Sequence, residues 1–156
     1  AIGAILAPQE SWLLQRGMKT LGLRMRAHQS NAQTIFDYLK TQDKVGKIYF
    51  PGDPDNPDHA LAKQQMNGFG AMISFELKAG LDPEQFISNL KIITLAESLG
   101  ALESLIEIPA KMTHGAIPRS IRLSHGIQDE LIRLSVGVED IEDLIEDLEQ
   151  GFNQLK

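Results

Sequence analysis

Cysteine is absent from this sequence of 156 residues. Without a thiol there is no disulfide scaffold, no thiolate metal site and no cysteine nucleophile, which suits a reducing cytoplasm. Basic charge is in short supply as well: 15 Lys and Arg stand against 21 Asp and Glu, for a net charge of -6. With no basic face to neutralise phosphates, nucleic acid and anionic membrane are poor partners on electrostatic grounds. No apolar run approaches the roughly 18 residues a membrane helix needs, and the opening "AIGAILAP" lacks the basic n-region and the length of a signal peptide. Nor is there an initiator methionine; the chain runs quickly from apolar residues into a helical pattern, as the interior of a longer protein would. The histidines His28, His59, His114 and His125 fall at no zinc spacing, so no metal is expected. "GMKT" at Gly17 to Thr20 lacks the glycine spacing of a phosphate loop, which sets a nucleotide site aside.

What the sequence does have is a core. Apolar residues make up 42% and charged residues 23% of the chain, the balance of one compact domain. Met18, Leu21, Met25, His28, Ala32, Ile35 and Leu39 recur at helical spacing, predicting the longest helix over about 18–41. A shorter helix precedes it, opened by Pro8, carrying Trp12, Leu13 and Leu14, and stopped near Gly17. "AMISFEL" alternates with period two and predicts a half-buried strand. Asp82 and Pro83 have the chemistry of an N-cap and first helical residue. Residues 92–108 read as two short strand pieces around a turn at Gly100. The last strand, 131–136, sets Ile132, Leu134 and Val136 on one face and Leu131, Arg133 and Ser135 on the other. A final helix carries Ile141, Leu144, Ile145, Leu148 and Phe152, with Glu139 and Asp140 in its first turn and the acidic run on a solvated face. Strands interleaved with helices predict an α+β fold, a small sheet with helices packed on one side.

The residue that stands out is Arg133, a charge inside an apolar run. Two roles suit it: a structural ion pair, or a planar fork that grips a carboxylate by two parallel hydrogen bonds. Around the Gly100 bend, Glu97, Ser98, Glu103 and Ser104 are either solvated and capping, or offer a hydroxyl and free N–H groups to an anion.

Four segments then take on a shared meaning: "RGMKTLGLRM", "YFPGDPDNPDHALAKQQMNGFGAMISFEL", "TLAESLGALESLIEIPAKMTHGAI" and "GIQDELIRLSVGVEDIEDLIEDLEQ". In order and spacing they resemble the C-terminal part of the Cys/Met-metabolism family of pyridoxal-phosphate enzymes, which includes cystathionine γ-lyase, γ-synthase and β-lyase. The resemblance implies the small C-terminal domain of an aspartate-aminotransferase-like fold. Residues 1–40 would be the end of a large domain and a connecting helix, and 41–156 the small domain, with the N-terminal cofactor-binding domain outside this chain. It implies pyridoxal 5'-phosphate as cofactor, held on an upstream lysine that no residue here matches, so that this chain alone would be inactive. By matching position, Arg133 is similar to the arginine that pairs with the substrate α-carboxylate. Ser98 resembles the residue that helps position the substrate, Glu97 the adjacent position that varies with substrate preference, and Thr113 and His114 the loop at the active-site mouth. The implied reaction is β- or γ-elimination or γ-replacement on cystathionine or a related sulfur amino acid, in a cytoplasmic homotetramer formed with the remainder of the same protein. A non-catalytic amino-acid-binding or association module is the alternative. Two departures from the family pattern stand out: Gly115 where alanine is usual, and Ala101 for a second glycine.

Overall fold

The computed structural model describes residues 3–155. Helices α1 (Pro8–Met18) and α2 (Leu21–Leu39) come first, then β1 (Val45–Tyr49), α3 (His59–Gln65), β2 (Met72–Leu77) and α4 (Pro83–Ile87). They are followed by β3 (Thr94–Leu95), β4 (Leu105–Glu107), α5 (Arg119–Ser124), β5 (Leu131–Ser135) and α6 (Ile141–Gln154). The strands form one five-stranded sheet in the order β1-β2-β5-β4-β3. One face is dry. Ile73, Phe75 and Leu77 of β2 and Ile132 and Leu134 of β5 bury it against Ile35, Phe36 and Leu39 of α2, Phe86 of α4, and Leu144, Leu148 and Phe152 of α6. This is the expected α+β architecture, with the helical layer on one side. No described helix is long and apolar enough to cross a membrane.

Local chemistry explains most boundaries. Pro8 opens α1 at its first turn, and Asp82 accepts the Glu84 N–H at 2.9 Å ahead of Pro83. Asp140 does the same for Glu142 at 3.0 Å, so it is the N-cap of α6. At the other end of α6 the Lys44 ammonium donates to the Phe152 and Leu155 carbonyls, each at 2.7 Å, satisfying acceptors that the helix leaves open.

Four expectations need correction. The break between α1 and α2 lies at Lys19 and Thr20 rather than at Gly17, whose carbonyl instead accepts from Arg24 at 2.8 Å. Residues 92–108 do contain two short strands, but β3 and β4 run parallel, paired Thr94 to Leu105 and Leu95 to Ile106. A tight turn would have made them antiparallel. The intervening loop arches over instead, anchored by Val138 N–H on the Leu102 carbonyl at 3.0 Å. Glu139 precedes α6 rather than lying in its first turn and accepts from Ser104 N–H and Oγ at 2.6 and 2.8 Å. Finally, the acidic helix is not solvated throughout: Asp147 is buried and accepts the N–H groups of Lys91, Ile92 and Ile93 at 2.7, 3.0 and 2.9 Å.

After α5, Asp129 binds both Arg119 and the buried Arg122, while Arg122 also donates to the Ile127 carbonyl at 2.7 Å. The Arg122 hydrogen bond, followed by that of Arg119, holds the Asp129 carboxyl below its usual range. A depressed folded-state pKa contributes stability that is present above the ordinary carboxylate range and is lost as pH falls through the folded value. Asp129→Asn should therefore lower the urea midpoint of the chain at pH 7, with the difference from the parent shrinking progressively below pH ~4.

The open face of the sheet and its charge network

The site grows out of β5. Because β5 is hydrogen-bonded to β2 on one edge and β4 on the other, its side chains have only two directions available. Ile132 and Leu134 take the helical side, which leaves Arg133 on the open face directly between Ser74 of β2 and Glu107 of β4. A register slip of one residue would drive the guanidinium into the core, so the apolar side fixes where the charge points.

Glu107 answers that charge. Its side chain is 1% exposed against 22% for Arg133, and its Oε1 lies 2.9 Å from Arg133 Nη2. The same Nη2 donates to the Ser98 carbonyl at 3.2 Å, so both of its hydrogens are engaged. Arg133 Nε and Glu107 Oε2 are buried with no hydrogen-bond partner among the described residues. The ion pair anticipated as one role for Arg133 thus exists, while Nε and Nη1 meet no acceptor among the described residues.

The other expected residues fall into two groups. Ser98 joins the network twice: its carbonyl meets Arg133, and its Oγ lies 3.3 Å from Ser135 Oγ and accepts Gly100 N–H at 3.0 Å. Thr113 donates to Glu107 Oε1 at 3.3 Å and lies 2.9 Å from His114 Nδ1, so the loop of Thr113 and His114 reaches Arg133 through Glu107. Glu97 is exposed and forms no hydrogen bond or ion pair with the described residues. Further along the same face Tyr49 donates to Glu76 at 2.5 Å; burial first, then this bond, raises the phenol pKa and keeps it protonated. His28, by contrast, is buried on the core side with Nδ1 2.7 Å from the Val136 carbonyl, a packing role. His59 lies 2.8 Å from the Pro51 carbonyl and His125 2.8 Å from that of Ile121, both capping loops.

Glu107 is the residue that reading the sequence missed. Its signal was there, since in "SLIEIPA" a lone carboxylate interrupts an apolar run just as Arg133 does in "LIRLSV". The two departures from the family pattern also have steric explanations. Gly100 carries φ +138°, a conformation that favours glycine, whereas no described non-glycine residue has positive φ, so Ala101 needs no such freedom. At position 115 a Cβ would lie 2.8 Å from the Lys111 carbonyl oxygen, and this turn admits only glycine without shifting.

Chemically, a guanidinium with donors to spare beside a serine bend fits a small carboxylate. No lysine amine is hydrogen-bonded to Arg133, Ser98, Glu107 or Thr113 among the described residues.

Comparison with known proteins gives these residues a setting. A family model described as Cys/Met metabolism PLP-dependent enzyme matches residues 1–153. Cystathionine beta-lyase of Lactococcus lactis is 55% identical over 154 residues, covering 99% of this chain and 40% of that protein. Cystathionine gamma-lyase of Bacillus subtilis is 53% identical over 153 residues, covering 98% and 40%. Among solved structures, a cystathionine gamma-lyase of Lactobacillus plantarum complexed with L-serine superposes with a TM-score of 0.93 at 73% identity, covering 98% of this chain and 40% of that one. The chain therefore spans about 40% of the length of the relatives it matches.

Removing one partner of a buried ion pair leaves the other charge uncompensated, at about 3–5 kcal/mol. Arg133→Met should destabilise the chain by that order, and adding Glu107→Gln should return part of the loss, with a coupling energy of about 1–3 kcal/mol in a double-mutant cycle read by urea unfolding. Strict additivity would mean that the pair contributes nothing.

Proposed function

This chain belongs to the Cys/Met-metabolism family of PLP-dependent enzymes, and we propose that it is the C-terminal portion of a C–S lyase or synthase acting on cystathionine or a related sulfur amino acid. Its part in the work is to hold the substrate α-carboxylate. The observation that carries this reading is Arg133, fixed on the open face with Nη1 unengaged among the described residues beside the Ser98 bend.

The lysine that carries pyridoxal phosphate matches no residue here, so the cofactor would be held by polypeptide outside this chain. When bound, it withdraws electrons from the substrate Cα. This chain's residues act on the other end of the amino acid. A carboxylate gripped through two parallel N–H groups fixes the rotation about the bond to Cα, and orientation of that kind lowers a barrier by several kcal/mol. One prong of each guanidinium fork is already committed through Nη2. A full fork then requires the carboxylate to displace an acceptor, and the 3.2 Å bond to Ser98 is the longer of the two. Substrate arrival would thus release the Ser98 carbonyl, tying the clamp to the bend that carries Glu97 and Ser98. Thr113 and His114 would border the mouth. Glu97, exposed and unbonded, is free to meet the distal end of a substrate.

The domain division follows the same reading. Residues 1–40 are proposed as the end of a large domain and its connecting helix, and 41–156 as the small domain. Trp12, Leu13, Leu14 and Met18 of α1 and Leu21 and Leu23 of α2 are exposed apolar side chains in one stretch, the pattern of a surface that another part of the protein covers. A cytoplasmic homotetramer goes with this proposal.

Two outcomes test it. The complete protein should carry a visible cofactor absorbance band that shifts when cystathionine is added, whereas this chain alone should show neither band nor turnover; a colourless complete protein would reject the enzyme reading. In the complete protein Arg133→Lys, which keeps the charge but loses the fork, should raise KM strongly, on the order of tenfold or more, and lower kcat less. An unchanged kcat/KM would remove the clamp.

A further inference from the structure

We propose that Glu107 is a positioning residue for the substrate carboxylate, acting through Arg133 and linked by Thr113 to the loop at the mouth; this rests on the clamp reading of Arg133. The geometry is specific. Glu107 faces Arg133 directly across the β4–β5 ladder and bonds Nη2, the terminal nitrogen, while the Ser98 carbonyl takes the second hydrogen of the same atom. Before substrate arrives the guanidinium plane is held from two directions at one nitrogen; once the Ser98 carbonyl is released, Glu107 is the contact left to hold it, with Nη1 open beside it.

Stability alone is a poor reason for the pair. A carboxylate 1% exposed, with Oε2 unpartnered among the described residues, bears the cost of desolvating a charge, which an apolar side chain at this position would not. A buried ion pair is weak evidence of stabilisation and is better understood where it imposes one geometry on a group that must be in place. Thr113 supports this use. Exposed itself, it reaches Oε1, the oxygen that Arg133 also uses, so the loop and the clamp share one acceptor.

The competing electrostatic account predicts the opposite sign. Were Glu107 only a counter-charge, it would weaken the pull of Arg133 on a second carboxylate, and neutralising it would tighten substrate binding. A positioning role requires that neutralising it loosen binding, because the fork loses its orientation.

The test uses the complete enzyme with its cofactor. For the parent, Glu107→Gln, Thr113→Val and Arg133→Lys, kcat and KM for L-cystathionine are measured, together with the inhibition constants of L-alanine and L-alaninamide. The amide lacks the carboxylate, so the ratio of the two constants reports the clamp independently of turnover. Glu107→Gln should raise KM about tenfold, leave kcat within about threefold, and shrink the acid-over-amide ratio about tenfold; Thr113→Val should do the same on a smaller scale, about threefold. If Glu107→Gln lowers KM, or leaves KM and the ratio within twofold while Arg133→Lys collapses the ratio, the positioning role is overturned and the clamp stands. If Arg133→Lys also leaves the ratio unchanged, the clamp fails and this proposal with it. A Glu107→Gln protein with a lower Tm but an unaltered ratio has lost structure only, and that too overturns the role. Should Glu107→Gln not fold, Thr113→Val decides, since an unaltered ratio there breaks the proposed link.

Discussion

A strand paired on both edges offers its side chains two directions and no third, and β5 uses both to the full. On the helical side Ile132 and Leu134 are completely buried, each contributing on the order of 1.5–3 kcal/mol to the core. On the open side the same alternation sets Arg133 between Ser74 and Glu107. The core therefore does more than stabilise the sheet. It makes any slip of β5 prohibitively costly, and a charge that cannot slip is one that can be aimed.

Aiming also depends on the segment that brings Ser98 to Arg133, and two carboxylates from the C-terminal stretch hold that segment. Before β3, Asp147 of α6 gathers the N–H groups of Lys91, Ile92 and Ile93. After the bend, Glu139 holds Ser104 by N–H and hydroxyl, and Ser104 Oγ in turn accepts Gly137 N–H at 2.8 Å. Charge-assisted bonds of this kind are stronger than neutral ones, and here they bracket a loop whose tip, Leu99, is 84% exposed. The Leu99 side chain is exposed while the residues on either side of it are hydrogen-bonded. An acidic composition that looks like a matter of solubility thus includes two residues whose work is to shape the bend.

Period and capping chemistry made the local structure legible in advance. The alternation of β2 and β5, the Asp82–Pro83 cap, the stripe of α6 and that of α2 from His28 to Leu39 are written in spacings of two, three and four residues and were recovered, whereas Met18 falls in α1 and Leu21 is exposed. Two of the misses, the direction of β3 and β4 and the burial of Asp147, share one physical cause, which is that partners distant in sequence leave no periodic trace. That β3 and β4 run parallel depends on how 96–104 arches over, not on the composition of either strand. Asp147 looks like its exposed neighbours Asp143 and Glu146 until α6 is docked against 91–93. Glu107 belongs to a different class. Two opposite charges, each alone in an apolar run and 26 positions apart, were visible as a pair of anomalies, and only cross-strand register could join them.

The helix that precedes the sheet shares the same constraint. From His28 to Leu39, α2 is packed on the core, yet Leu21 and Leu23 at its start are exposed along with the apolar side chains of α1. One helix thus packs on this sheet from His28 onward and leaves its start exposed. At the middle it is tied to the end of β5: His28 meets the Val136 carbonyl at 2.7 Å, and Asn31 donates to the carbonyls of Gly137 and Glu139 at 3.2 and 2.9 Å. Three hydrogen bonds to the carbonyls of Val136, Gly137 and Glu139, just beyond Arg133, mean that α2 cannot shift along its axis without breaking them or carrying that segment with it. The position of the guanidinium is therefore set from the core face by β5 packing, from the open face by Glu107, and from the far end of the strand by the helix that precedes the sheet.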